Sequence, residues 1–315
     1  MTKNGVKIDA VVIGRNEGAR LLACLDALQG QVRRMIYVDS GSTDGSVDAA
    51  RAAGATVVAL DMTQPFTAAR ARNAGLDVLA VDAPDFVQLL DGDCQMQPGW
   101  LPAALGAFAA HPLAVVVCGR RRERFPDASV YNALADREWN TPIGQALACG
   151  GDALMRFAAV RAVGGYNSAL IAGEEPDLCL RLRAAGGQVW RIDAEMTLHD
   201  AAMTRFGQWW KRTVRAGHAF AEGAALHGFT HWGAEVRRAL IWGAGLPVLI
   251  LAALALPYGW ALALVYPLQW LRLARREGGI WATFSIIGKF AEARGALGYY
   301  LNRICGRRAG LIEYK

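Results

Sequence analysis

Strand-like and helix-like stretches alternate strictly through the first hundred residues, and this limits what the chain can become more than any other feature. IDAVVIG, RRMIYVDS, ATVVALD and DFVQLLDGD are short apolar runs of strand character. Between them lie EGARLLACLDALQG, STDGSVDAARAAG and TAARARNAGLDVLA, with helical apolar spacing and, at Gly54, a helix-closing glycine. Such alternation predicts an α/β fold, a mostly parallel sheet flanked by helices. In sheets of this kind ligands bind beyond the carboxyl ends of the strands. Asp39, Asp91 and Asp93 all fall at those ends.

Residues 100–200 continue with a helix (WLPAALGAFAAH), a strand (LAVVVCG), a loop-rich stretch, the helix EPDLCLRLRAAGG and the strand QVWRID. Gly and Pro punctuate this part heavily, as loops that shape a cleft do. The chain then changes character. The formal charge of +6 is unevenly divided: residues 1–200 carry 19 Lys/Arg against 23 Asp/Glu, residues 201–315 carry 15 against 5. From Ile241 to Leu271 no residue is charged, and Pro257-Tyr258-Gly259 interrupts the run. Each half falls short of the ~20 residues that cross a hydrocarbon core of ~30 Å. Arg237, Arg238, Arg272, Arg275 and Arg276 flank it, so a re-entrant or tilted hairpin with both ends in the cytoplasm is expected; a buried helical hairpin is the alternative. Basic charge beside long apolar runs favours anionic lipid over nucleic acid. We therefore expect residues 1–205 to form the α/β domain and residues 206–315 a helical, basic and apolar membrane-associated region. The six cysteines form no CxxC pair, and no apolar leader opens the sequence. The catalytic half is thus expected at the cytoplasmic face of the membrane, held there through residues 239–276.

Three acidic constellations carry chemistry. Asp91-Gly92-Asp93 follows FVQLL at a strand end; two carboxylates there suit a hard divalent cation such as Mg²⁺ or Mn²⁺, although Asp-Gly-Asp is also an ordinary turn. Gly173-Glu174-Glu175-Pro176-Asp177 opens a helix, with Pro suited to the first turn. Glu175 there can serve as general base, or the acids can simply complement the helix dipole. Asp39-Ser40-Gly41-Ser42-Thr43-Asp44 has the make-up of a base- or ribose-recognition turn. The loop after the first strand reads Gly14-Arg15-Asn16-Glu17-Gly18, not G-x-G-x-x-G, which disfavours a nicotinamide-dependent oxidoreductase. P-loop, G-x-S-x-G and H-E-x-x-H motifs are absent. His199 is a candidate further metal ligand. Trp209-Trp210-Lys211-Arg212 suits either sugar stacking or a membrane interface. Arg120-Arg121-Arg122-Glu123-Arg124 reads as a solvated charge run, with a role in holding an anionic acceptor as the lesser alternative.

In order along the chain, VVIGRNEGARL, VDSGSTDGS, ARARNAGL, LLDGDC, CGGDALMRFAAVRAVGGYN and GEEPDLCLRL resemble the ordered motifs of glycosyltransferase family 2, whose fold is GT-A, over roughly residues 8–200. The resemblance implies an inverting transferase that uses a UDP-, GDP- or dTDP-sugar donor and a metal ion. It implies that Asp39 pairs with the base, that Arg15 and Glu17 line the nucleotide pocket, and that Arg72-Asn73 lies near the diphosphate. Asp93, with Asp91, would handle the metal and diphosphate, with His199 as a possible extra ligand. The family's base is usually the Asp of Glu-Asp, where this chain has Glu175; Glu174 and Asp177 stay candidates. Gln208-Trp209-Trp210-Lys211-Arg212 departs from the QxxRW of processive members. The expected acceptor is lipid-linked or a glycan, as in polysaccharide biosynthesis, and no nucleic acid is expected. A silent nucleotide-binding membrane scaffold and a nucleotidyltransferase are the competing readings.

Overall fold

Strand β1 (Ile8–Gly14) is buried at every position but its last, as an interior parallel strand with helices on both faces must be. Helix α1 (Ala19–Leu28) buries Leu21, Cys24, Leu25 and Leu28, one face at helical spacing. Next come β2 (Met35–Asp39), α2 (Ser46–Ala52), β3 (Thr56–Ala59) and α3 (Ala68–Leu79). The Thr67 side chain caps α3 by accepting from the Arg70 amide. On α3, Gly75 allows close approach to β1: a Cβ there would stand 2.4 Å from a Val11 methyl. The chain continues through β4 (Phe86–Asp91), β5 (Cys94–Met96), α4 (Trp100–Ala110), β6 (Ala114–Glu123), α5 (Val130–Glu138), β7 (Gly144–Ala146), β8 (Ala153–Arg156), α6 (Phe157–Ala162), α7 (Glu174–Ala184) and β9 (Gln188–His199). The computed structural model describes residues 5–307 and 310; the opening MTKN and the extreme end of the 206–315 region lie outside the described residues.

The sheet order is β3-β2-β1-β4-β8-β6-β9-β5, with β7 on β9. It is parallel through β3-β2-β1-β4, as the alternation predicts. Beyond β4 it is mixed: β8 runs antiparallel to both β4 and β6, while β6 and β9 are parallel. Because β2 and β4 flank β1, the strand order reverses there, at the switch point where open α/β sheets bind ligands. Register places Asp39 beside Gly14, and Asp91 beside Ile13, at this one edge.

The chain divides into two compact units. One runs to Leu170 and resumes over Glu174–Thr204; the other takes Ile171–Gly173 and the chain from Arg205. The second unit is helical: α8 (Phe206–His227), α9 (Gly233–Leu240), α10 (Leu246–Ala253), α11 (Val265–Glu277) and α12 (Gly279–Ile304). Its seams are made by small residues. A Cβ on Gly217 would stand 2.0 Å from the Glu292 carbonyl oxygen, and one on Gly295 2.0 Å from that of Val214. A π-helical turn (Ile241–Gly245) joins α9 to α10, just where the Pro247 ring and missing N–H disturb regular helix bonding. Gly233–Ala253 is thereby one helix of 21 residues, apolar and long enough to cross a membrane, with 11% of its most apolar window buried. This differs from the expected short half-hairpin, because the helix starts well before Ile241 and includes Glu235, Arg237 and Arg238. Trp209 is packed against Phe206 and Phe284 within the same unit, so it is a core side chain and not a free stacking face.

Candidate active site

Everything that follows lies in the α/β unit. The loop after β1 is tied to the loop after β2. Asn16, at φ 55°, donates its amide to Ser42 Oγ at 2.9 Å and accepts the Thr43 amide on Oδ1 at 2.7 Å. Asp39, at the end of β2, accepts the Gly41 and Ser42 amides on Oδ2 at 3.0 and 2.9 Å and the Tyr37 hydroxyl on Oδ1 at 3.1 Å. This carboxylate therefore shapes the turn that carries it. Arg15 is exposed on the first loop. Glu17 pairs with Arg20 at 2.8 Å, and its stem runs across the strand ends, 3.1 Å from a Cβ on Gly14 and 3.2 Å from one on Gly92. A side chain at Gly92 would also meet the Ile13 carbonyl at 3.2 Å, so the Asp-Gly-Asp glycine is a fitted residue.

Arg72 organises the centre. Projecting from α3 and 4% exposed, it donates Nη2 to Asp91 Oδ1 at 2.8 Å and Nη1 to Glu174 Oε1 at 2.6 Å. One guanidinium thus joins the end of β4 to the start of α7. Burial works against its charge, but Asp91, Tyr166 and Glu174 more than offset that, and its pKa stays well above the usual arginine value. Arg121 plays a parallel part from β6. It donates Nε to Asp152 Oδ2 at 3.0 Å, reaches within 4.0 Å of Asp91 Oδ2, and lies over the Trp139 ring. Asp152 is wholly buried and also accepts the Thr197 hydroxyl at 2.8 Å. Burial of Arg121 is likewise outweighed by Asp152, and its pKa is raised.

Asp93 is buried beside His199, with Oδ2 3.3 Å from Nε2. The pairing of β5 with β9 sets Cys94 against His199, and Glu123 faces the other side of the ring, Oε2 3.9 Å from Nδ1. A carboxylate behind a histidine is the arrangement that orients the far nitrogen toward a metal. Asp93, Cys94 and His199 bring ligand atoms within 4.8 Å of one another, as do Asp91, Cys94 and Asp152. Burial pushes the Cys94 thiol well up. The carboxylates and the imidazole, harder donors than the Cys94 sulfur, would make the donor set, and oxygen with nitrogen fits Mn²⁺ or Mg²⁺.

Helix α7 begins with Glu174, Glu175 and Asp177 in its first turn, where the dipole favours anions. Their partners separate them. Glu174 belongs to Arg72, and Asp177 is paired with Arg181 at 2.7 Å, one helical turn on. Glu175 Oε1 accepts the Cys149 amide at 2.6 Å and lies 3.0 Å from the Cys149 and Cys179 sulfurs. The Cys149–Asp152 loop joins these groups to the strand-end acids. A Cβ on Gly151, at φ 103°, would stand 3.1 Å from Arg121 Nη2, 3.6 Å from Arg72 Nη2 and 3.9 Å from Asp91 Oδ2.

The candidates Arg72, Asp91 and Glu174 are thus linked by hydrogen bonds, Glu175 follows Glu174 on α7 with its own partners at Cys149 and Cys179, and Asp93 and His199 are paired two residues from Asp91. Asp39 and Glu17 flank the same sheet edge. Sequence reasoning missed Arg121 and Asp152. The stretch Arg120–Arg124 is not a solvated run. Arg120 is buried on Asp136, Glu123 accepts from Asn132 and from the Phe125 and Ala201 amides, and only Arg122 makes an exposed pair, with Glu195. The signal lay in the uninterrupted strand before it: β6 carries AVVVCG straight into RRRE, so these charges could not all face water.

The chain is 28% identical over 237 residues to the pre-mycofactocin glycosyltransferases of two Mycobacterium tuberculosis strains, over 70% of this chain and 48% of theirs. It therefore spans about half the length of those relatives. A mannosyltransferase from Pyrobaculum calidifontis, solved in complex with GDP-Man and Mn²⁺, superposes with a TM-score of 0.67 at 18% identity. The match covers 94% of this chain and 88% of that one, a likeness of fold. The family model described as glycosyl transferase family 2 matches residues 9–163. The segment 9–163 is thus a glycosyl transferase family 2 segment, set in a sheet of the GT-A type.

Proposed function

We propose that the protein is an inverting, metal-dependent glycosyltransferase that moves a sugar from a nucleoside-diphosphate donor to a hydroxyl of a lipid-linked or glycan acceptor. The observation that carries the reading is Arg72, which ties Asp91 at a strand end to Glu174 beside Glu175 at a helix start. Donor-side and acceptor-side acids are thereby held in one network. The linked turns of Asn16 and Asp39 form the nucleotide side, with Arg15 and Glu17 beside them.

Asp91 and Asp93, with His199, would hold a Mg²⁺ or Mn²⁺ ion. Bound there, the cation would neutralise charge that builds on the leaving diphosphate. Arg72 and Arg121 keep their positive charge under burial and present fixed cations to the same phosphates. Glu175 takes the proton of the acceptor hydroxyl, whose oxygen attacks the anomeric carbon as the nucleoside diphosphate departs. One displacement inverts the anomeric configuration. Asp177 is committed to Arg181 and Glu174 to Arg72, so Glu175 is the better base. Its described hydrogen bonds converge on Oε1, which leaves Oε2 to receive the proton.

We place the protein at the cytoplasmic face of a membrane, held through residues 239–276. Support comes from the exposed Val248, Leu249, Leu251, Leu254, Leu256, Tyr258 and Trp260 of the helical unit and from the flanking arginines. A panel of UDP-, GDP- and dTDP-sugars with Mn²⁺, read by release of nucleoside diphosphate, tests the enzyme reading. One donor should turn over; no metal-dependent turnover or binding with any of them sinks it. Deletion of 239–276 should move the protein to the soluble fraction, and retention on membranes would refute the anchoring.

A further inference from the structure

The surroundings of Glu175 are chemically unlike those of Asp93. Asp93 is grouped with an imidazole and one thiol, that of Cys94, whereas Glu175 is lined by two thiols. The Cys149 and Cys179 sulfurs stand 3.8 Å apart, and each lies 3.0 Å from Glu175 Oε1. Two Zn–S bonds of about 2.3 Å at a tetrahedral angle place their sulfurs about 3.8 Å apart. The carboxylate oxygen sits about half an ångström inside its tetrahedral distance from each sulfur, a gap that a small rotation of the Glu175 side chain closes.

We infer that Cys149, Cys179 and Glu175 form a second cation site, selective for thiophilic ions such as Zn²⁺ and separate from the Asp91/Asp93/His199 centre. Two thiolates and one carboxylate give a three-ligand set with a fourth position for water, the make-up of an open zinc site. Each thiol releases its proton to solvent as its metal–sulfur bond forms, so two positive charges on the ion meet three negative ligands. Soft sulfur ligands select Zn²⁺ over Mn²⁺ and Mg²⁺, which prefer the oxygen-rich centre. The site is already shaped: Cys179 projects from α7 one turn beyond Glu175, and Cys149 is held by its own amide on the Glu175 carboxylate. Cys149 is only partly buried, which gives an ion a way in. The consequence for activity rests on the assignment of Glu175 as base. Zn²⁺ would occupy the carboxylate that has to accept the proton and would inhibit transfer supported by Mn²⁺.

Cd²⁺, whose thiolate complexes absorb in the ultraviolet by sulfur-to-metal charge transfer, is the probe. Titrated into the reduced, Mn²⁺-loaded protein, it should raise this band to saturation at one ion per chain, and Zn²⁺ should displace it. Cys149→Ser/Cys179→Ser should lose the band, while Asp93→Asn, Cys94→Ser and Cys305→Ser keep it. If circular dichroism shows the double variant unfolded, Cys149→Ser alone should at least halve the amplitude. No band, or one unchanged by these serine substitutions, overturns the site and leaves the base assignment standing. A Cd²⁺ band together with transfer that Zn²⁺ does not slow keeps the site and removes Glu175 as base.

Discussion

The two units of this chain solve opposite problems with opposite materials. The α/β unit buries charge. Arg72, Arg120, Asp93, Asp152, Glu123, Glu174 and Glu175 are all nearly or wholly withdrawn from water, and each has an ion pair or hydrogen bond within the unit. The helical unit does the reverse. Its buried cluster is Ala221, Ala224, Val236 and Ala296, while large apolar side chains along α10, α11 and the turn between them stay exposed. Charge withdrawn from solvent is expensive unless paired, so a protein keeps it where electrostatics must act in a low dielectric. Apolar surface left outside marks where something other than water is met. The difference is between a unit that withdraws charge from water and a unit that leaves apolar surface in it.

Glu175→Gln should break the charge-burying side most severely. We expect a fall of about 10²–10⁴ in transfer with donor binding kept, read by single-turnover kinetics beside donor titration; normal transfer would mean another base. Arg72→Met leaves the buried Glu174 without its cation and takes one from the half-buried Asp91. It should destabilise the α/β unit by about 3–5 kcal/mol, visible as a lowered denaturant midpoint. The helical unit should respond to bulk and not to charge. Gly217→Leu forces a side chain against the Glu292 backbone and should cost about 1–3 kcal/mol, measured as earlier melting of helix with the α/β unit unaffected. At the small end, Arg122→Ala removes an exposed pair with Glu195 and should shift stability by less than about 0.5 kcal/mol. A large effect there would put Arg122 in the buried network after all.

The sequence made the first half of the sheet legible because parallel strands buried on both faces leave unmistakable apolar runs, with Asp39 and Asp91 at their ends. It made the glutamate-rich helix start legible through Pro176. Less could be read where one residue type does two jobs. Arg121 and Asp152 look like surface charge and loop in the sequence; only the pairing of β6 with β8 and β9 turns them toward Asp91. Cys149 and Cys179 are thirty residues apart and without a CxxC signature, so their meeting at Glu175 is a property of the fold. The length of the Gly233–Ala253 helix was hidden by counting apolar residues alone, since Glu235 and the two arginines are part of it.

Titration of UDP, GDP and dTDP against the protein and Asp93→Asn, each with and without Mn²⁺, tests most directly whether the strand-end acids form a donor site. The expected result is that one nucleotide binds the parent protein far more tightly with Mn²⁺, and that Asp93→Asn abolishes this gain while remaining folded. Binding that is indifferent both to the ion and to Asp93 would contradict the account at its root.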